Sequence, residues 1–174
     1  MSVAIVASAV WAQTNTVIKA PANKKAAGQE VGITSMRLVF DQTKNKLIYF
    51  GNVVITNVQG NLSCERLTID LPPQSSTNNQ VTNAVAETNV IINLLRDGDT
   101  NHVTCDKAVY AYSIVNAVTN ETITFIGSSN SPAKMRNSKG WMTGEPLIWD
   151  NVNKQFSGVN PQTIIQIRFI NFWI

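Results

Sequence analysis

Four copies of one short phrase constrain this chain more than any other feature. CERLTID begins at Cys64, CDKAVYA at Cys105, GEPLIWD at Gly144, and a looser SMRLVFD at Ser35, in steps of 29, 41 and 39 residues. A second phrase runs between them: FGNVVITNVQG from Phe50, ETNVIINLLRDG from Glu87, and a worn FIGSSNSPAKMRNSKG from Phe125. Each unit reads as strand, turn, strand, turn. Repetition at this period marks stacked supersecondary units that bury one continuous core between them.

The parity inside the phrase says how those strands run. Residues two apart in a strand share a face. Leu62 and Cys64 share one face, yet the apolar Leu67 and Ile69 that follow have the opposite parity. The same slip separates Val103 and Cys105 from Ala108 and Tyr110, and Met142 and Gly144 from Leu147 and Trp149. One extra residue near Glu65-Arg66, Asp106-Lys107 and Glu145-Pro146 returns both apolar sets to one side, which is what a β-bulge or sheet corner does. Pro146 suits such a place, because proline is tolerated at bulges and edges. The phrase predicts a bent corner in a rolled sheet.

The remaining segments from Val31 onward are rich in Val, Ile, Thr, Phe and Tyr. Asn, Asp, Gly, Pro and Ser cluster between them, as in DQTKNK, PPQSSTNNQ and GSSNSP. This is the pattern of strands and turns, and no window carries a 3.6-residue apolar stripe long enough for a helix. An all-β fold follows. A chain of 174 residues suits one domain with a buried core. Residues 1–12 read as a signal-peptide core lacking its charged front, with Ala9-Val10-Trp11-Ala12 placed like a cleavage site. Residues 13–30 read as a loose polar arm, and 31–174 as a single β-roll domain.

Only 14% of the residues are charged and the net charge is +3, with Lys and Arg scattered, so nucleic acid is not an expected partner. His102 is the only histidine and there is no C-x-x-C, which argues against a metal site, a cofactor or a nucleophile–base pair. Cys64 and Cys105 occupy equivalent places in two units and are a candidate disulfide if the chain is exported. Bridging needs Cα atoms within about 7 Å, whereas strands two apart lie about 9.5 Å away. A bridge therefore requires the units to be immediate neighbours or to meet across the roll; two buried small hydrophobes are the alternative.

The stretch RLVFDQTKNKLIYFGNVVITNVQGNLSCERLTID, residues 37 to 70, resembles the OstA-like family, which includes LptA, the periplasmic part of LptC and the N-terminal domain of LptD. Gly51-Asn52-Val53 fills the family's central motif, and Cys64 stands where the family usually has Ala. TITFIGSSNSPAKMRNSKGWMTGEPLIWDNVNKQFSG, ending at Gly158, resembles its second half, so the likeness covers about residues 33–158. The resemblance implies an antiparallel β-roll, or β-taco, jelly-roll-like and open along one side. It implies a non-enzymatic periplasmic protein of outer-membrane biogenesis that carries lipopolysaccharide in an apolar trough. It also implies partners, either other OstA-like domains or second copies, joined end to end. A structural β-repeat protein with a closed core is the competing expectation.

Candidates to line the trough are Val53, Ile55, Leu62, Leu67, Ile69, Val90, Ile92, Leu94, Val103, Tyr110, Ile123, Phe125, Leu147 and Trp149. NVVIT and NVIINLL are apolar on both faces, so their parity alone does not choose the inner one. The closing run PQTIIQIRFINFWI has only Arg168 charged and is expected to pair as an edge strand, on its own roll or on a partner.

Overall fold

The computed structural model describes residues 31–73, 80–96, 98–128 and 130–165, so the predicted signal core, the polar arm and most of the closing apolar run lie outside the described residues. The described chain is one antiparallel sheet of twelve strands: β1 (Gly32–Thr34), β2 (Arg37–Asp41), β3 (Lys46–Asn57), β4 (Gly60–Asp70), β5 (Asn83–Arg96), β6 (Asp99–Val115), β7 (Val118–Ile126), β8 (Ala133–Asn137), β9 (Gly140–Gly144), β10 (Leu147–Asp150), β11 (Gln155–Gly158) and β12 (Gln162–Ile165).

The pairing resolves this sheet into two walls sharing a bend. The first wall holds β1, the Val53–Asn57 part of β3, the Gly60–Cys64 part of β4, the later half of β5, the earlier half of β6, then β8, β9 and β12. The second holds β2, the other halves of β3 to β6, then β7, β10 and β11. Both walls have the same order, so the chain is a meander that crosses the bend on every pass. The four copies of the repeated phrase are the crossings in one direction: at β1–β2, within β4, within β6 and at β9–β10. The second phrase supplies the return crossings.

The sequence-predicted bulge is present, but its surplus residue lies on the opposite strand. Phe50 pairs with Arg66 and Val53 with Cys64, so Gly51 and Asn52 of β3 oppose the single Glu65 of β4. Thr88 and Asn89 of β5 likewise oppose Asp106 of β6. All four residues of these two bulged pairs have positive φ, 74° and 46° at Gly51 and Asn52, 67° and 54° at Thr88 and Asn89. Gly and Asn accept this region at low cost, whereas Thr is β-branched and is held there by its surroundings. In β4 and β6 the parity slip appears as buried residues three apart, such as Cys64 and Leu67. At β9–β10 the crossing contains a cis Glu145–Pro146 bond. Glu145 accepts two contacts from the Gly127 N–H, at 2.9 and 3.1 Å, and so ties this corner to the one between β7 and β8.

The cysteines are not bridged. Cys105 pairs with Val90, and β5 runs between the two cysteine strands, so they are two strands apart and out of reach. The Cys64 thiol donates to the Arg66 carbonyl at 3.2 Å. Burial pushes Cys64 up to about 11 and Cys105 up to about 12, from an ordinary value of 9.0. Both folded-state values are raised, and here the neutral form is the protonated one. The unfolded chain therefore loses these protons first as pH rises past 9, and the fold is destabilised above that pH. Burial raises Tyr110 to about 12 and raises Tyr49 as well, in the same sense. We expect stability to be insensitive to these groups below pH 8 and to fall between pH 9 and 11. Thiol titration at pH 8 should find no rapidly reacting cysteine in the folded protein and two after unfolding without reductant.

Candidate functional site

One face of this bent sheet is apolar across its whole width. In the second wall, Leu47, Ile69, Ala84, Tyr110, Ile123, Trp149 and Phe156 lie opposite one another strand by strand. Nearer the bend, Tyr49, Leu67, Ala86, Ala108, Phe125 and Leu147 form the next row. In the first wall, Val53 pairs with Cys64 and Val90 with Cys105. Beyond them Ile33, Ile55, Leu62, Ile92, Val103, Met135 and Met142 make a row across seven strands. Residues of both walls belong to one apolar cluster. Each wall covers the other, which is how Val53, Val103, Phe125 and Leu147 reach 0% exposure.

Every trough candidate named from the sequence lies on this inner face. The ambiguous strands are settled by their burial. Val53 and Ile55 point inward while Val54 is exposed, and Val90, Ile92 and Leu94 point inward while Ile91 and Leu95 are exposed. Several inner residues escaped the sequence reading. Leu47 and Tyr49 sit in LIYF, apolar on both faces, but they share parity with Val53 through Gly51, a signal that was available. Ala84, Ala86, Ala108 and Ala133 are too small to stand out by hydrophobicity; only the register reveals them. Met135 and Met142 lie in the worn repeat.

Burial declines from the bend toward both free margins. Leu67 and Ala86 are buried, whereas Ile69, Tyr110, Ile123 and Leu94, one step outward, are half-buried. The margins themselves are polar. On the first wall Asn101 and Asn137 hydrogen-bond at 3.1 Å beside Gly60 and Gly140. On the second, the Tyr110 hydroxyl donates to Glu121 at 3.2 Å. Asp70 accepts from Asn83 at 3.0 Å and pairs with Lys46 at 2.9 Å; these two contacts, the Asn83 bond first, hold its carboxyl below the usual carboxylate range.

Among the described residues, the inner rows do not stop at a cap where the meander begins. Leu38 pairs with Tyr49 and Phe40 with Leu47, which places both on the inner face, yet they are 43% and 49% exposed. Among the described residues, the roll's first end is therefore open. At the other end, every residue of β12 is exposed, including Ile164 and Ile165.

His102 lies exposed on the outer face, bonded through Nδ1 to Asn93 at 2.7 Å. No group of three or more potential metal ligands occurs among the described residues. A bent antiparallel roll with an apolar inside and polar margins suits containment of an apolar ligand.

The family model described as "LptA/(LptD N-terminal domain) LPS transport protein" matches residues 32–155, more than two thirds of the chain. The chain belongs to this family of lipopolysaccharide-transport proteins. Its fold is similar to that of LptH from Pseudomonas aeruginosa, described as the LptA homologous periplasmic component of the lipopolysaccharide transport device. The TM-score is 0.62 at 14% identity, over 80% of this chain and 96% of that one. No curated protein sequence matches.

Proposed function

We propose that this protein is a periplasmic carrier that receives the acyl chains of lipopolysaccharide between its two walls and passes them along a line of similar domains. The observation that carries this is the inner face itself, apolar in unbroken rows across every pass of the meander and edged by polar margins. Each methylene withdrawn from water contributes about 0.8 kcal/mol, so a multi-chain lipid binds such a face without specific polar contacts. Ala84, Ala86 and Ala108 make the second wall thin at its centre, where an acyl chain finds room once the walls part. Transfer rather than catalysis fits an inner face whose two thiols, Cys64 and Cys105, are kept protonated by burial.

The open first end supports end-to-end assembly. Leu38 and Phe40 extend the inner rows to a free edge, and β12 offers exposed Ile164 and Ile165 at the other. Edge strands with unpaired N–H and C=O groups template a further strand. A second domain added there covers both the backbone edge and the inner residues left bare. The same end-to-end logic applies to residues 163–174, of which 163–165 are described.

The closed-core reading rests on the complete burial of Val53, Val103, Phe125 and Leu147. Native mass spectrometry separates the two. Protein taken without detergent from a periplasm that contains lipopolysaccharide should carry one lipid per chain, released on unfolding. A bare chain mass, unchanged on titration with lipopolysaccharide, supports the closed structural roll.

A further inference from the structure

The outer face of the first wall carries a second constellation that the lipid interior does not use. Asn61, Asn93, His102, Arg136 and Trp141 stand opposite one another on β4, β5, β6, β8 and β9. At strand spacings of 4.7–4.9 Å they form a track about 19 Å long. Its polar end is pre-set. Asn93 Nδ2 donates to Asn61 Oδ1 at 2.8 Å, and His102 Nδ1 donates to Asn93 Oδ1 at 2.7 Å. At its other end Lys134, Arg136, Asn137, Ser138, Gly140 and Trp141 line a groove of about 440 Å³. Lys134 Nζ sits 5.2 Å from the centre of the Trp141 ring. The nearby acid, Asp99, is engaged by the Ser138 hydroxyl at 2.7 Å. Arg136 has no carboxylate partner among the described residues.

We propose that this track and groove bind a phosphorylated oligosaccharide, the headgroup chemistry of the lipid cargo. The identification of its source rests on the carrier reading above; the site itself does not. Asparagine amides both donate and accept, as sugar hydroxyls require. An indole offers a rigid apolar face with a polar edge, which suits the C–H face of a sugar ring. A guanidinium is suited to two parallel hydrogen bonds to a phosphate, and Lys134 adds a second positive charge. The position fits as well. Asn137 and Gly140 belong both to the groove and to the polar margin of the interior. A lipid whose chains lie between the walls has its headgroup leave over the β8–β9 turn, directly onto this face.

Calorimetric titration of the full chain with deacylated, phosphorylated lipopolysaccharide saccharide tests the site. Saturable binding is expected, weakened at least tenfold by Trp141→Ala and by Arg136→Ala, with both variants still folded by circular dichroism. A neutral glucose oligomer should bind at least tenfold more weakly. No saccharide binding, or binding unchanged in both variants, overturns the proposal, as does inorganic phosphate binding equally well. Displacement of the saccharide by intact lipopolysaccharide supports the cargo as its source, and failure to displace overturns that assignment. Lipid found by native mass spectrometry in a protein that ignores the saccharide refutes the track alone; saccharide binding with no lipid refutes the carrier alone.

Discussion

Phe125→Ala will lower the stability of the lipid-free protein by about 3–5 kcal/mol, the range for removing a buried aromatic ring from a core. Phe125 is 0% exposed and stands between Ala108 and Leu147 in the row beside the bend. Its ring lies 6.3 Å from that of Phe156, which in turn lies 4.6 Å from Trp149. The neighbour on one side is an alanine, and backbone hydrogen bonds hold β6, β7 and β10 in register, so the gap cannot close by side-chain movement. Domains of this kind are stable by only about 5–15 kcal/mol, so the loss is a large share of the total. Equilibrium urea unfolding measures it as a lower midpoint with little change in slope. A loss below about 1 kcal/mol means that the walls do not pack on one another as described.

Gly60→Val will have an effect of similar size for a different reason. Gly60 closes the β3–β4 turn with φ of 148°, a region that side chains rarely enter, and a Cβ there would fall 1.9 Å from the Asn93 carbonyl oxygen of β5. The substitution strains the turn and drives β5 away from β4 in the middle of the sheet. A cost on the order of 3 kcal/mol is expected. Gly140 repeats the arrangement in the β8–β9 turn, with φ of 147° and the Ile164 carbonyl oxygen 2.0 Å from the added atom. In both turns an Asn three residues earlier, Asn57 or Asn137, accepts a backbone N–H, at 2.8 and 2.9 Å. There, however, the obstructed strand is β12, which among the described residues pairs only with β9 and can shift. Gly140→Val should therefore cost clearly less than Gly60→Val in the same urea measurement. Equal costs would contradict the placement of β12 as an edge.

The sequence made the bend legible because a bend disturbs a period-2 pattern. Apolar residues three apart, Cys64 and Leu67 or Gly144 and Leu147, can face one side only if the strand turns between them. The strand that carries the surplus residue was not legible in the same way. Gly51-Asn52 and Thr88-Asn89 keep even spacing between their inner neighbours, Tyr49 and Val53, Ala86 and Val90, so parity is silent there. Asn at the second position was the remaining signal, and Thr88 gave none. The inner face was legible wherever large residues alternate with polar ones, and illegible at the alanines. An alanine in a buried row looks like any other alanine until cross-strand register is known. Cys64 and Cys105 show the limit of equivalence between units. Equivalence between units suggests proximity, but an intervening return strand separates equivalent positions by two ladder steps.

The polar outer track was legible least of all. Asn61, Asn93, His102, Arg136 and Trp141 are scattered over the sequence and meet only through register. His102 stands out in the sequence only as the lone histidine, and its hydrogen bond to Asn93 is a property of the sheet.

Site-specific photo-crosslinking tests the carrier reading most directly. A crosslinking residue is placed at Leu62 or Leu94, both half-buried on the inner face, and in control proteins at Val54 or Leu95, exposed on the outer face. Each protein is irradiated in cells making lipopolysaccharide. Lipopolysaccharide adducts are expected at Leu62 and Leu94 and none at Val54 or Leu95. Equal labelling of the two faces, or labelling of neither, would contradict an interior that holds the lipid.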